Sequence, residues 1–387
     1  MNILYISPYP PMKDGIADYT KKLVDELSRN INNEIIVVSL KQKKLKTNRV
    51  FYTLSFNPFD LLKTYILLKN KNLHVIHLQY DFSNYMFLTF PILFLLLMLR
   101  IFSKIKIVVT FHEAKRDLEH YGVFSLVFYR FISIIFHRIY ILNTESLYAL
   151  KHNYKIDNSK LKLIPHGTYV FKDKINYSKE LIKKFNIDNS KLNLLFFGYI
   201  YRIKGIEYLI KAAALLQETK EYKDRFNVLI VGGIRERNGL LKFFEKRNIE
   251  YLQTLKLLVK DLGVKKQVKF IGFLEDKYIY SLFKNSDILI LPYTSVDQSG
   301  VLNIALAVQI PTIASNIGEF KDTLRHSGIL VPQKNAVKIF EGIVKLDSDR
   351  VLYNKIKKEY KQINIEQSTR NVSLKLIHDY ESLQKNG

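Results

Sequence analysis

The sequence contains no cysteine. That absence removes disulfides, thiolate metal sites and cysteine nucleophiles together, and it fits a reducing compartment. Acidic residues are scarce, with 36 Asp and Glu against 60 Lys and Arg, leaving a formal net charge of +24. The opening Met1–Ser7 has no basic region leading into a hydrophobic run, so no signal peptide is expected. Long apolar runs are lacking too. The most apolar stretch, Met86–Phe102, is broken by Pro91 and charged at Arg100, and its uninterrupted part is too short to span a bilayer comfortably. It reads as a buried helix of an α/β domain, with a helix leaning on lipid as the alternative.

A charge of +24 creates a field that attracts polyanions. Three partner classes fit: nucleic acid, an anionic membrane surface and a phosphorylated small substrate. The cations are scattered (Lys21–Lys22, Lys41–Lys46, Lys183–Lys184, Lys265–Lys266, Lys357–Lys358) rather than gathered in an arm. No zinc-finger spacing or aromatic RNA-binding signature accompanies them, so a nucleic-acid partner is not expected. The anionic membrane surface stays open.

At 387 residues and 48% hydrophobic composition the chain is long enough for two cores. Strand-like and helix-like segments alternate, which predicts two α/β domains. Asn2–Ser7 reads as a strand and Ile16–Leu27 as an amphipathic helix, with a glycine-bearing loop between them; a nucleotide-binding α/β half begins this way. Further strands are expected at Glu34–Leu40, Val75–Leu78, Ile105–Thr110, Arg138–Leu142 and Leu161–Ile164, with helices at Pro58–Leu68 and Phe124–Phe136. A second series begins at Leu192–Phe197 and continues at Phe226–Val231, Val268–Ile271, Ile288–Leu291 and Thr312–Ala314. Its helices fall at Gly205–Leu216, Tyr251–Leu262 and Leu302–Ala307. The polar stretch Lys172–Ser190 reads as a linker and Glu366–Leu383 as a terminal helix. The expected division is 1–172, 190–362 and a helix within 363–387 that returns to the N-terminal domain.

Four places carry candidate chemistry. Phe197–Gly198 ends a strand, and Arg202 and Lys204 follow before a helix at Gly205. Two cations beside free helix amides suit a phosphate, although solvated surface cations would look the same. At Ser299–Gly300 a serine can cap the next helix while the glycine admits a ligand to the backbone; an ordinary capped helix fits equally. Gly15 lies in the first βα loop, where a diphosphate could come close. Thr110–Phe111–His112–Glu113 places an imidazole and a carboxylate at a strand's carboxyl end, where open α/β sheets bind ligands. Pro165–His166–Gly167 ends another strand in the same way. A lone histidine in such places is more often a structural hydrogen-bonder. Asp347–Ser348–Asp349 has a metal-binding form but no third ligand nearby, and reads as a solvated turn. Gly232–Gly233 does not complete a dinucleotide fingerprint, which argues against a nicotinamide enzyme.

In this order the segments resemble glycosyltransferase family 4, the retaining two-domain GT-B enzymes. The match runs through Ile6–Pro11 with Gly15, Thr110–Glu113, Ile164–Gly167, Phe197–Gly205, Gly232–Gly233, Ile271–Phe273, Ser299–Ser315 and Gly318. The resemblance implies two Rossmann-like domains facing each other across a cleft: an acceptor-side N-terminal domain and a donor-side C-terminal one. It implies that Arg202 and Lys204 grip the donor diphosphate and that Gly15, Ser299, Gly300 and Val301 surround it. Gly198 and Gly233 would line the donor site, Gly272 and Phe273 would lie against the base, and His112 would sit by the donor sugar or reacting centre. The implied donor is a UDP- or GDP-linked sugar, with no cofactor and no metal. The implied acceptor is a saccharide or lipid-linked saccharide, in cell-surface polysaccharide or glycan synthesis. The implied location is cytoplasmic, with a peripheral place on the inner membrane face as the further expectation. This sequence departs from the pattern where many members carry two glutamates separated by seven residues, since Val296 and Ile304 stand there. Ile304 cannot accept hydrogen bonds from ribose hydroxyls; Asp297 or Glu319 is the candidate replacement. That departure keeps a silent nucleotide-sugar-binding protein as the alternative, with a basic nucleic-acid binder behind it.

Overall fold

The computed structural model describes all residues except 13, 31–33, 42–48, 56, 70, 86–87, 113, 169–170, 172–176, 235–241, 297–298, 325 and 386–387. Inside helices, the side chains of 30, 58, 61, 67–69, 83, 115–116, 120 and 242–244 are also outside the description. Glu113, Asp297, Gln298, Met86, the start of the 172–190 stretch and most of Lys41–Lys46 therefore lie outside the described residues.

The chain divides into two compact units, residues 1–167 with 367–387 and residues 168–366. The first unit holds a parallel sheet of β1 (Ile3–Ile6), β2 (Ile35–Leu40), β3 (Val50–Leu54), β4 (Val75–Tyr80), β5 (Lys106–Phe111), β6 (Arg138–Ile141) and β7 (Leu161–Leu163). Their order is β3-β2-β1-β4-β5-β6-β7, the doubly wound pattern in which the order reverses beside β1. β1, β4 and β5 are buried nearly throughout because helices cover both faces of the sheet. One face packs on the helix Thr89–Phe102 and its neighbours, with Ile92, Leu96, Tyr129 and Phe136 buried there. The other face packs on helices Gly15–Asn30 and Thr369–Lys385, with Tyr5, Leu23, Val372 and Tyr380 buried.

The C-terminal helix is thus a component of the first unit. Asp379 ties it down: its carboxylate accepts from Lys162 Nζ at 2.6 Å, Tyr140 Oη at 2.7 Å and Arg138 Nε at 3.1 Å. Burial pushes this carboxyl up, but its bonds to Lys162 and Tyr140 and the charge of Arg138 outweigh that and hold it below its ordinary value.

The second unit repeats the plan with β8 (Leu192–Phe197), β9 (Phe226–Val231), β10 (Val268–Gly272), β11 (Ile288–Leu291), β12 (Thr312–Ser315) and β13 (Ile329–Val331), ordered β10-β9-β8-β11-β12-β13 and parallel throughout. Two Rossmann-like units are therefore present.

Three local expectations are corrected. The stretch read as a linker contains the helix Ser178–Phe185, whose Leu181 is buried in the second core. The helix expected over Phe124–Phe136 runs Val123–Ile132, because the amides of Ile134 and Ile135 turn back to Phe131 and Ile132 as the chain tightens toward β6. Asp347–Ser348–Asp349 is a joint between helices: Asp349 Oδ1 accepts from the Leu352 amide at 2.8 Å and starts the helix Arg350–Glu366.

Candidate functional site

In the second unit, five loops meet at the carboxyl edge of the sheet, the edge where open parallel sheets bind ligands. They follow β8, β9, β10, β11 and β12. Backbone lines this edge closely. Gly232 has φ +141°, and a Cβ built there would stand 1.9 Å from the Gly198 carbonyl oxygen. Gly205 has φ +61°, with its Cβ position 2.0 Å from the Pro292 carbonyl. No L side chain fits either place, so the glycines let the loops after β8, β9 and β11 close on one another. Amide bonds fix the same loops: Ile200 N to Gly233 O at 3.0 Å, Gly232 N to Gly272 O at 2.8 Å and Thr294 N to Ile203 O at 2.8 Å.

Arg202 and Lys204 form a single 3-10 turn on this frame, just before the helix Ile206–Glu218. The Arg202 guanidinium lies over the Tyr251 ring, 5.4 Å from its centre, and itself stays exposed. Lys204 is half-buried, with Nζ 3.6 Å from the centre of the fully buried Tyr293 ring. Among the described residues neither cation has a carboxylate partner. Burial pulls the Lys204 ammonium down to about 7. The π-face compensates part of the lost hydration, and an anion docked here would restore the full charge.

Beside them starts the helix Gly300–Val308. Ser299 caps it as its position predicts, its Oγ accepting from the Leu302 amide at 3.3 Å. No atom lies within 4 Å of where a Gly300 Cβ would stand, so the backbone is open at that point. Val301 is half-buried and approaches Gly198, from which its Cγ2 is 3.9 Å at the Cβ position. Glu319 is buried behind this turn, and its carboxylate accepts from the Ser299 amide. Burial pushes the Glu319 carboxyl up to about 8, against the amide bond that favours its charged form. Gly272 and Gly233 line the loop after β10, and Phe273 stands 72% exposed at its tip. Ile304 is buried in the apolar core of the second unit, and Val296 packs against the same core.

In the first unit, Gly15 opens the helix Gly15–Asn30, with nothing within 4 Å of its Cβ position. The neighbouring Asp14 Oδ1 accepts the Ile16 and Ala17 amides at 2.8 and 3.2 Å, so an anion at Gly15 would share that helix end with a carboxylate. His112 is buried just beyond β5, its Nε2 2.8 Å from Gln79 Oε1. Gln79 Nε2 reaches His77 Nε2 at 3.2 Å, and the same His77 nitrogen is 2.7 Å from Thr110 Oγ1. His77 Nδ1 meets the Tyr380 hydroxyl at 2.5 Å, and that hydroxyl meets Tyr5 Oη at 2.8 Å. Burial holds His77 at about 3, neutral at ordinary pH. His166 packs on Tyr19, ring centres 4.5 Å apart, and burial lowers it to about 4. The pattern of residues along the chain gave no sign of Tyr251, Tyr293, His77 or Gln79.

Residues 178–363 match the family model described as Glycosyl transferases group 1. The matched residues lie within the second unit. An uncharacterized glycosyltransferase of Methanocaldococcus jannaschii is 28% identical over 228 residues, 55% of this chain and 53% of that protein. The chain spans about half the length of the curated relatives it matches. Among solved structures, sucrose-phosphate synthase of Thermosynechococcus elongatus aligns with a TM-score of 0.76 at 18% identity, covering 100% of both chains. HepE of Anabaena, solved in complex with UDP, aligns at TM-score 0.76 and 16% identity, covering 99% of this chain and 100% of that one. The fold of both units is that of GT-B proteins.

Proposed function

We propose that the chain is a retaining glycosyltransferase that moves a sugar from a UDP- or GDP-linked donor to a saccharide or lipid-linked saccharide. The observation that carries the reading is Lys204, held half-buried over Tyr293 at a sheet edge lined by backbone, next to Arg202 and an open helix start. The group 1 domain over residues 178–363 supports it, and so does the UDP bound by HepE. Breaking the bond from the sugar C1 to the diphosphate places negative charge on the departing nucleoside diphosphate. Arg202, Lys204 and the amides at Gly300 and Val301 stabilise that charge without a metal. The acceptor oxygen bonds C1 on the face the diphosphate leaves, and its proton passes to a diphosphate oxygen, so no pair of carboxylates is required. Gly198, Gly233, Gly272 and Phe273 hold the nucleoside, and Glu319 sets the amide of Ser299.

The test is release of nucleoside diphosphate, after thermal-shift screening of nucleotide sugars identifies the donor. Arg202→Ala and Lys204→Ala should each lower turnover on the order of a hundredfold or more, with the melting transition retained. Near-normal turnover in both variants would overturn the assignment. The apolar Ile304 favours a second reading, a protein that binds donor silently; a donor-induced thermal shift without diphosphate release on any acceptor would select it.

A further inference from the structure

We propose that the outward faces of the helices Thr89–Phe102 and Val123–Ile132 form one docking surface for an anionic lipid bilayer. A helix that covers a sheet normally turns a polar face to water. These two are apolar on both sides. In the first, Ile92, Leu93, Leu96 and Leu99 fill the core, while Phe90, Phe94 and Ile101 repeat along the outer face. In the second, Tyr129 and Ile132 are buried while Phe124, Val127 and Phe131 face out, with Phe131 66% exposed. The Phe90 and Phe128 rings meet edge to face at 6.4 Å, which joins the two faces into one patch. Patches of this kind mark interaction sites rather than ordinary surface.

Charge identifies the occupant. Residues 82–112 contain no Asp or Glu, and neither do residues 120–144. Within them stand Arg100, Lys104 and Arg130. Arg100, Lys106 and Lys160 all act on His137, so these cations gather at one margin of the surface. Pairing with a second copy of the chain would bring these cations together with no counter-charge between the helices. Lipid phosphates supply that charge, and the acyl boundary accepts the phenyl rings. No helix among the described residues is long and apolar enough to cross a membrane, so the surface lies on the bilayer rather than in it. The proposal deepens the acceptor half of the function above, and rests on that reading only for the use the chain makes of the bilayer.

The test is co-sedimentation of the full chain with vesicles. Binding to mixed phosphatidylcholine–phosphatidylglycerol vesicles is expected, falling about tenfold or more on pure phosphatidylcholine or in high salt. Phe94→Ser with Phe131→Ser should abolish it at an unchanged melting temperature, since both positions are exposed. Arg130→Gln with Lys104→Gln should remove the preference for phosphatidylglycerol. Absence of wild-type binding, or binding indifferent to the two phenylalanines, would overturn the proposal. So would a dimer in solution that the same two substitutions dissolve. Failure here is separable from failure of the donor site. The phenylalanine variant should keep its donor-induced thermal shift, and the Arg202→Ala, Lys204→Ala variant should still bind vesicles.

Discussion

The two units share a strand order but spend their residues differently. In the second, loops at the carboxyl edge are packed backbone against backbone, and glycines in left-handed or otherwise restricted conformations make the approach. The backbone is open at Gly300, and Arg202 and Lys204 are exposed and half-buried. In the first, one sheet face carries a buried chain of polar side chains, from His112 and Gln79 through His77 to Tyr5, joined by Tyr380 of the C-terminal helix. One copy of the plan leaves main chain open at its carboxyl edge; the other uses side chains to fasten the helix Thr369–Lys385. Shared topology therefore says where a site can be, and the residues at the strand ends say whether there is one.

The sharpest way to break that comparison is to add a single carbon to each unit. Gly232→Ala puts a Cβ 1.9 Å from a carbonyl oxygen at φ +141°, and should cost about 3 kcal/mol or more by calorimetry. Gly15→Ala in the first unit adds the same carbon to the start of a helix with open space around it, and should stabilise slightly. Equal effects would mean that the second edge is not packed as described.

Asp379→Asn addresses the fastened helix. It leaves Arg138 and Lys162 without their carboxylate, at a cost of about 2 kcal/mol in urea unfolding. Because the folded carboxyl sits below its ordinary value, its contribution is full above that value and fades as pH falls through the lower one. The variant should accordingly lose part of the wild-type acid limb. No change would detach Asp379 from the first unit's stability.

The remaining effects come from pH at the second edge. Lys204 titrates at about 7, so donor affinity should strengthen as pH falls from 8 to 6, by up to about tenfold. Lys204→Arg should flatten the profile. Glu319 acts on stability, and in the same direction with pH. Its folded value of about 8 is raised, so its contribution is present below the ordinary 4.5 and is lost as pH rises through 8. Glu319→Gln should remove that decline, read as melting temperature against pH. A flat wild-type profile would contradict the burial of both groups.

The amino-acid pattern made much of this legible. The central strands of both sheets stood out as largely apolar runs, because strands covered on both faces carry few polar residues. β3 and β13 escaped notice for the complementary reason: Val50–Leu54 and Ile329–Val331 are short edge strands, half-buried and without a clean alternation. At the site, Arg202, Lys204 and the Ser299 cap follow from local order along the chain. The rings beneath the two cations do not, since Tyr251 and Tyr293 come from distant elements and only folding brings them there. Gln79 reaches His112 through the pairing of β4 with β5, which no local pattern encodes. The outward apolar faces were half legible: Met86–Phe102 was conspicuous, but which side faced water required the packed sheet.

The C-terminal helix also sets a schedule for synthesis. Domains generally fold as they emerge, N-terminal first. Here residues 168–366, the entire second unit, are made between the first sheet and the helix that covers it. On the ribosome the part of that face that the C-terminal helix covers, around Tyr5, His77 and Tyr140, waits until residues 168–366 have been made, so the first unit is the last to have all its residues.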